Sequence, residues 1–162
     1  MDWVFGDLPL HPLLVHGTVV LVPVAALCVV LSAVWPAARR RLGILTPLLA
    51  LAAMIAVPIT TTAGQWLAER VPATPLVARH HQLGDSLWPW TVGLFVVAAA
   101  LWAWNRFTTK TTERMRRIVP ILLAAAAIVV AAGAVWTIVQ IGESGAAAVW
   151  TGNFSDEPLP AP

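Results

Sequence analysis

The four histidines are the side chains of this chain best suited to chemistry, and they occupy only two places in the sequence. His11 and His16 stand in "LPLHPLLVHGTV", where a long apolar run begins, and His80 and His81 are adjacent in "ARHHQLGDS". Imidazole can bind a metal ion, hold a haem iron or exchange a proton near neutral pH. We therefore take these four side chains as the candidate functional residues.

Two groups of small and polar residues have the spacing needed to join the histidines. The last apolar run carries four of them at i, i+3, i+7 and i+10, which is one face of a helix: Gly133, Trp136, Gln140 and Glu143. The second apolar run carries a shorter stripe: Thr61, Gly64 and Gln65. Because a polar group that faces lipid costs a few kcal/mol, we expect both stripes to face the interior of a helical bundle, toward His16 and His81.

The elements that must position these residues are four long apolar runs. The chain is 59% hydrophobic and 11% charged over 162 residues, which is too little charge for the surface of a soluble domain. A bilayer core needs roughly 20 residues of apolar helix, and four runs reach that length: about 13–35, 43–67, 82–104 and 118–142. The sequence predicts an all-α bundle of four transmembrane helices as one domain over 1–152, followed by a disordered, acidic and Pro-rich tail over 153–162.

The distribution of basic residues predicts how the bundle is oriented. Eight of the ten lysines and arginines follow the first or the third run: Arg39, Arg40, Arg41, Arg106, Lys110, Arg114, Arg116 and Arg117. Short basic connections stay in the cytoplasm. The loops 36–42 and 105–117 are therefore expected on the cytoplasmic side, with both termini and the 68–81 connection outside. All four histidines then lie near the outer boundary.

Three chemistries are compatible with such a histidine cluster. A b-type haem needs an axial imidazole from each of two helices, and His16 and His81 are the candidate ligands of its iron, with Gly17 allowing close approach. A divalent metal would use His11, His16, a third histidine and Glu143. Proton or ion handling would use the histidines and Glu143 as groups that change protonation. The single cysteine, Cys28, excludes a disulfide within the chain and covalently attached c-type haem.

Three segments of the chain resemble the DUF2231 family, which comprises small bacterial membrane proteins of four predicted helices. These are "HPLLVHGTVVLVPVA", "HHQLGDS" and "GESGAAAVWTG", and the resemblance covers about 8–152. It places the family's opening histidines on His11 and His16 and its third-helix histidine on His81. Related domains occur fused to Rieske or cytochrome c modules, which implies a redox setting with a separate partner protein. The chain departs from many relatives at Gly17, where they carry an aromatic residue.

The leading functional hypothesis is therefore one b-type haem near the outer face of a bacterial cytoplasmic membrane. It would exchange one electron with an extracytoplasmic partner or with quinone, and it could not carry electrons across the bilayer alone. The alternatives are a cofactor-free structural or assembly subunit of a membrane complex, such as a respiratory one, and an ion- or proton-handling protein. The secondary cofactor-binding residues of the site would be His11, His80, Gly17, Gln140 and Glu143.

Other classes of function have little in the sequence to favour them. It has no motif of an enzyme active site, and its short basic segments suit orientation or anionic lipid better than nucleic acid. The oligomeric state stays open, and so does the question of which of His80 and His81 faces the bundle interior.

Overall fold

The computed structural model describes residues 2–108, 111–155 and 157–158, and it is a bundle of helices long and apolar enough to cross a membrane four times. The helices are α1 (Leu10–Val34), α2 (Pro36–Leu42), α3 (Leu45–Ala68), α4 (Pro75–Ser86), α5 (Trp88–Phe107) and α6 (Glu113–Trp150). The third span consists of α4 and α5 together, Pro75–Phe107. Two strands of two residues each, β1 (Val4–Phe5) and β2 (Leu8–Pro9), form an antiparallel hairpin ahead of α1. The predicted four-helix membrane fold is confirmed.

The boundaries of the third and fourth spans differ from the prediction. The third span begins at Pro75 and not near 82, because Thr74 caps it: the Thr74 side chain accepts a hydrogen bond from the backbone N–H of Val77. Proline at the first helical position costs no hydrogen bond, since that N–H has no partner in a helix. The predicted 68–81 connection therefore shortens to 69–74, and both adjacent histidines are helical. At the other end of the chain, α6 continues past 142 to Trp150.

The third span is interrupted at Leu87, between α4 and α5. Pro89 has no N–H to donate to the carbonyl of Asp85, so the α-helical hydrogen bonding stops there. The backbone instead makes 3₁₀-type hydrogen bonds on either side. The N–H of Leu87 donates to the carbonyl of Gly84, and that of Trp90 donates to the carbonyl of Leu87. Leu87 itself is only 3% exposed. The interruption of the third span thus lies inside the bundle.

The core of the bundle is built from small and branched apolar side chains. Helix α1 packs against α3 and α6, α3 packs against α5, and α6 also packs against α4 and α5. Half of the residues of α6 that are buried in these contacts are alanines: Ala127, Ala131, Ala134, Thr137, Ile138 and Ser144. Small residues let the helices approach closely, which is how helices associate where lipid supplies no hydrophobic driving force.

Contacts between helix ends show that neighbouring spans run antiparallel. His11, near the start of α1, contacts Thr60 in the second half of α3, and Ser32, near the end of α1, contacts Thr46 at the start of α3. The bundle thus has a histidine end, where α1 and α4 begin, and an arginine end, where α1 and α5 finish. The expected orientation of these ends in the membrane stays a prediction.

Some predictions fall partly outside the described residues. Lys110, which was counted in the second basic loop, lies outside them. In the tail 153–162 the same holds for Asp156 and for 159–162. The disorder predicted for this tail stays a prediction.

Candidate functional site

Three of the four histidines gather at the histidine end of the bundle. The ring centroids of His11 on α1 and His80 on α4 lie 6.3 Å apart with their planes at 75°. Those of His80 and His81 lie 6.4 Å apart, and all three side chains are partly buried. We call these three residues the histidine cluster. The predicted convergence of imidazoles from the first and third spans is present, but through His11 and His80.

His11 is held by a hydrogen bond to the neighbouring helix. Its Nδ1 lies 3.0 Å from the backbone carbonyl oxygen of Thr60 in α3. A carbonyl oxygen only accepts, so Nδ1 must carry the hydrogen and donate it. In the neutral ring the other nitrogen, Nε2, then keeps a free lone pair. Gly64 makes room for the ring, because a Cβ at that position would lie 2.9 Å from Cε1 of His11.

His80 is held in the same way by a different helix. Its Nδ1 lies 3.1 Å from the hydroxyl oxygen of Ser144 in α6. That hydroxyl donates its only hydrogen to the carbonyl of Ile141 at 3.0 Å, so it must accept from Nδ1 of His80. Nε2 of the neutral His80 ring therefore also keeps a free lone pair. Gly145 makes room here, since a Cβ there would lie 3.0 Å from Cε1 of His80.

A small cavity of about 50 Å³ lies beside the two anchored rings. Twelve residues line it: His11, Val15, Thr18, Val19, Val57, Thr60, Thr61, His80, Gly84, Leu87, Ile138 and Ile141. The hydroxyl of Thr18 donates to that of Thr60 at 2.8 Å, since Thr60 donates its own hydrogen to the carbonyl of Ala56. One buried water needs roughly 10–15 Å³ of such volume, so the cavity has room for a few waters or one small ligand.

The expectation that His16 faces the bundle interior is wrong. His16 is exposed on the outer surface of α1, and its Nδ1 donates to the carbonyl of Pro12 in the same helix at 2.6 Å. Positions 11 and 16 are five residues apart, which puts them about 140° apart around a helix, so both cannot face the interior. Gly17 is exposed too, and a Cβ there would meet nothing within 4 Å. It therefore serves no close approach inside this chain.

The polar stripe predicted on α6 also faces largely outward. Trp136 is 65% exposed and Glu143 is exposed, while Gln140 is partly buried. The small residues of α6 face the interior instead, because they permit the closest helix packing. Gly133 belongs to the interior, where the indole of Trp90 lies against it. On α3, Gly64 is buried and Thr61 lines the cavity, but Gln65 is exposed.

The pair expected to hold a haem is thus not brought together. The alternative pair, His11 and His80, has its Nε2 lone pairs free, but the cavity beside it is far smaller than the roughly 300–1,000 Å³ typical of small-molecule sites. The arrangement does not fit a porphyrin. Nor does the described part of the chain contain a group of three or more His, Cys, Asp or Glu side chains placed to hold a metal ion. Glu143 in particular does not join the histidine cluster.

Three positioning residues were not anticipated from the sequence: Thr60, Ser144 and Gly145. Thr60 contributes a backbone carbonyl, which no residue type reveals. Ser144 and Gly145 do carry a signal, since a polar residue beside a glycine in "GESGAAAVW" marks a helix face that a flat side chain can approach. The structure also settles that His80, and not His81, lines the cavity.

The fold and the site define this molecule as an integral membrane protein of four helical spans with a histidine cluster at one end. The chain belongs to the DUF2231 family, whose model carries the description "Predicted membrane protein" and matches residues 7–157. The family resemblance of the three sequence segments is thereby confirmed. No curated protein and no solved structure matches the chain.

Proposed function

We propose that this protein takes up and releases protons at its histidine cluster. The observation that supports the proposal is the shared state of His11 and His80. Each ring donates its Nδ1–H to an acceptor on a neighbouring helix, and both rings line a cavity that has room for a few waters. Ionisable groups held inside membrane bundles in this way are typical of proton-handling sites.

The distance between the two rings predicts how they would bind protons. Two positive charges 6.3 Å apart repel each other by about 3 kcal/mol at an effective dielectric constant of 20. The second proton would therefore bind less readily than the first, and the pair would titrate in two separate steps. Proton exchange would be confined to the histidine end, because the middle of the bundle is packed with apolar side chains such as Val22, Val57 and Leu94.

The orientation and location expected from the sequence belong to this proposal. The arginine end carries the basic loops, which favours a cytoplasmic position for it. The histidine cluster would then exchange protons with the outer side of a bacterial cytoplasmic membrane. A separate redox partner would be required only if the protein also carried an electron-transfer cofactor.

The b-type haem hypothesis predicts haem-type absorption bands, whereas our proposal predicts none. Purified protein supplemented with haem should show no haem-type absorption bands in a reduced-minus-oxidised spectrum, because the cavity does not fit a porphyrin. Bands that disappear when His16 is replaced by leucine would contradict our proposal and restore His16 and His81 as axial ligands.

A second candidate function is a structural or assembly subunit without a cofactor. It is favoured by one observation: the same hydrogen bonds join α1 to α3 and α4 to α6. In that case the histidines would only hold helices together. Their state of protonation would then not need to change between about pH 5 and pH 8.

Nuclear magnetic resonance of the protein with ¹⁵N-labelled histidine in lipid nanodiscs separates these functions. We expect two neutral histidines that carry hydrogen on Nδ1 and that take up protons in two steps as the pH falls. The double variant His80→Gln, His81→Gln should reduce the titration of His11 to a single step, because both neighbouring imidazoles that repel its proton are gone. His16→Gln is the matched control and should leave both cluster signals unchanged.

Two outcomes would contradict the proposal. Hydrogen on Nε2 in both neutral rings would remove the observation that supports it. Cluster signals that stay constant between about pH 5 and pH 8 would leave the structural function as the better explanation.

A further inference from the structure

The arginine end of the bundle contains a larger and chemically different pocket. Its volume is about 290 Å³, and its lining includes three arginines together with tryptophan, asparagine and hydroxyl side chains: Ser32, Arg39, Arg40, Thr46, Trp102, Asn105 and Arg106. Ala98, Leu101 and Gly43 complete the wall. We call this the arginine pocket. Nothing in the proposed proton chemistry uses it.

One of its arginines is fixed in place by the backbone. The guanidinium of Arg39 donates through Nε to the carbonyl of Ser32 and through Nη2 to that of Ala33, both at 2.6 Å. The carbonyl of Ser32 needs this donor, because the residue four positions later is Pro36, which has no N–H. Nη1 of Arg39 reaches Asn105 at 3.2 Å. A permanent positive charge is thereby held at the wall of the pocket.

The charge of the pocket is not neutralised by carboxylates of the described residues. Among the described residues, the ion pairs are Arg70 with Glu69 and Arg116 with Glu113, and none of these four residues lines the pocket. The side chains of Arg40 and Arg106 are exposed. Three guanidinium groups around one pocket thus offer a site for an anion, and arginine matches phosphate oxygens particularly well through paired N–H donors.

The position of the pocket decides which anion fits. It lies at the end of a membrane-spanning bundle, where tryptophans such as Trp102 favour the headgroup level of a bilayer. The apolar side chains of Ala98 and Leu101 form part of its wall, which suits an amphiphile better than a fully hydrated ion. Basic pockets between membrane helices bind the headgroups of anionic lipids in this manner. We propose that the arginine pocket binds the phosphate headgroup of one anionic phospholipid.

Native mass spectrometry of the full chain in detergent tests this proposal with phosphatidylglycerol as the probe. We expect one phosphatidylglycerol per chain, bound more tightly than phosphatidylcholine. The double variant Arg40→Gln, Arg106→Gln should weaken its binding about a hundredfold, since each charge-assisted hydrogen bond to the phosphate contributes about a factor of ten. Arg39 stays unchanged in this variant because it holds the end of α1.

The matched control is the double variant Arg41→Gln, Arg114→Gln. It removes the same charge from exposed arginines that do not line the pocket. It should keep the affinity for phosphatidylglycerol. An equal loss in both double variants would mean that only general charge attraction is measured, and the proposal would be overturned.

Inorganic phosphate distinguishes the two sources of the anion. If millimolar phosphate fails to displace phosphatidylglycerol, the lipid is the ligand that the pocket selects. If phosphate binds as tightly as the lipid, the site recognises a free anion and the lipid proposal is wrong. Thermal unfolding of each double variant in the same detergent identifies any loss of fold, and a variant that keeps its fold and its lipid affinity despite losing Arg40 and Arg106 overturns the proposal.

Discussion

The two ends of the bundle both use a side chain that donates to a backbone carbonyl of another segment, but with different results. At the histidine end, His11 donates to the Thr60 carbonyl and keeps a free lone pair beside a cavity of about 50 Å³. At the arginine end, Arg39 donates to two carbonyls and keeps a fixed charge beside a pocket of about 290 Å³. In the two functions that we propose, the same kind of hydrogen bond prepares one end to accept protons and the other to attract an anion.

The two ends differ because imidazole and guanidinium have different donors and acceptors left after they bond to a carbonyl. A neutral imidazole has one N–H donor and one acceptor nitrogen. A hydrogen bond donated by one nitrogen therefore fixes which tautomer the ring adopts. Guanidinium has only N–H donors, so its hydrogen bonds fix the position of a positive charge and leave no acceptor. We therefore expect the arginine end to depend on its anchor for stability, and the proposed proton exchange at the histidine end to depend on the anchors of His11 and His80.

The largest expected effect is the loss of the Arg39 anchor. Arg39→Met leaves the carbonyls of Ser32 and Ala33 without their donor, which should cost about 3 kcal/mol in the free energy of unfolding. Unfolding in detergent measures it. Arg41→Met, which removes an exposed arginine from the same short helix, should change stability by less than about 0.5 kcal/mol. Equal losses of stability in Arg39→Met and Arg41→Met would contradict the anchoring role of Arg39.

A side chain at Gly64 should have the next largest effect. Gly64→Val places carbon atoms where the ring of His11 lies, and such overpacking costs about 1–3 kcal/mol. The ring must move, so the variant should also lose the Nδ1–H signature of His11 in the nitrogen spectrum. Gly17→Val is the control, because a Cβ there meets nothing within 4 Å. A His11 spectrum that is the same in both variants would show that Gly64 does not position the ring.

The hydroxyl of Ser144 should contribute less to stability and more to the state of His80. Ser144→Ala removes the acceptor of the Nδ1–H of His80, which should cost about 1 kcal/mol and allow the other tautomer. Nitrogen spectra of the variant follow the tautomer directly. Ser86→Ala, which removes an exposed serine of the same chain, should leave His80 unchanged. An unaltered tautomer in Ser144→Ala would contradict the assigned direction of this hydrogen bond.

The smallest effect is expected at His16, although the sequence made it the leading ligand candidate. His16→Leu should alter the free energy of unfolding by less than about 0.5 kcal/mol, because the side chain is exposed and bonds only within its own helix. The two-step protonation of the cluster should be preserved. A large loss of stability, or of the two-step titration, would mean that His16 takes part in the site.

The spans could be predicted from the sequence because apolar length is a direct physical requirement of a bilayer. The start of α4 was missed, although Thr74 and Pro75 are a recognisable helix beginning, since "PLVARHHQLGDS" is too polar to read as part of a span. That error placed the adjacent histidines at the very start of the third span, although they lie within a helix that begins at Pro75. The gathering of histidines at one end was nevertheless predictable, because it depends only on where the runs begin.

Which imidazoles face inward could not be derived from the same information. The choice between His11 and His16 depends on the rotation of α1, and an evenly apolar helix carries almost no pattern that fixes its rotation. The rotation is set by close contacts such as that between His11 and Gly64, which join residues far apart in the chain. On α6 the alanines face inward, so the exposed Trp136 and Glu143 were a misleading guide.

The interruption at Leu87 divides the third span into two segments, which we expect to tilt separately. Leu87 is buried and would act as the pivot, while α4 extends from it to the 69–74 connection. His80 lies seven residues from Leu87, or roughly 10 Å along the helix axis, so a tilt of roughly 10° would shift it by roughly 2 Å. That displacement exceeds what the 3.1 Å bond to Ser144 can tolerate. A slight pull on the 69–74 connection would thus separate His80 from Ser144 while α5 stays in its place.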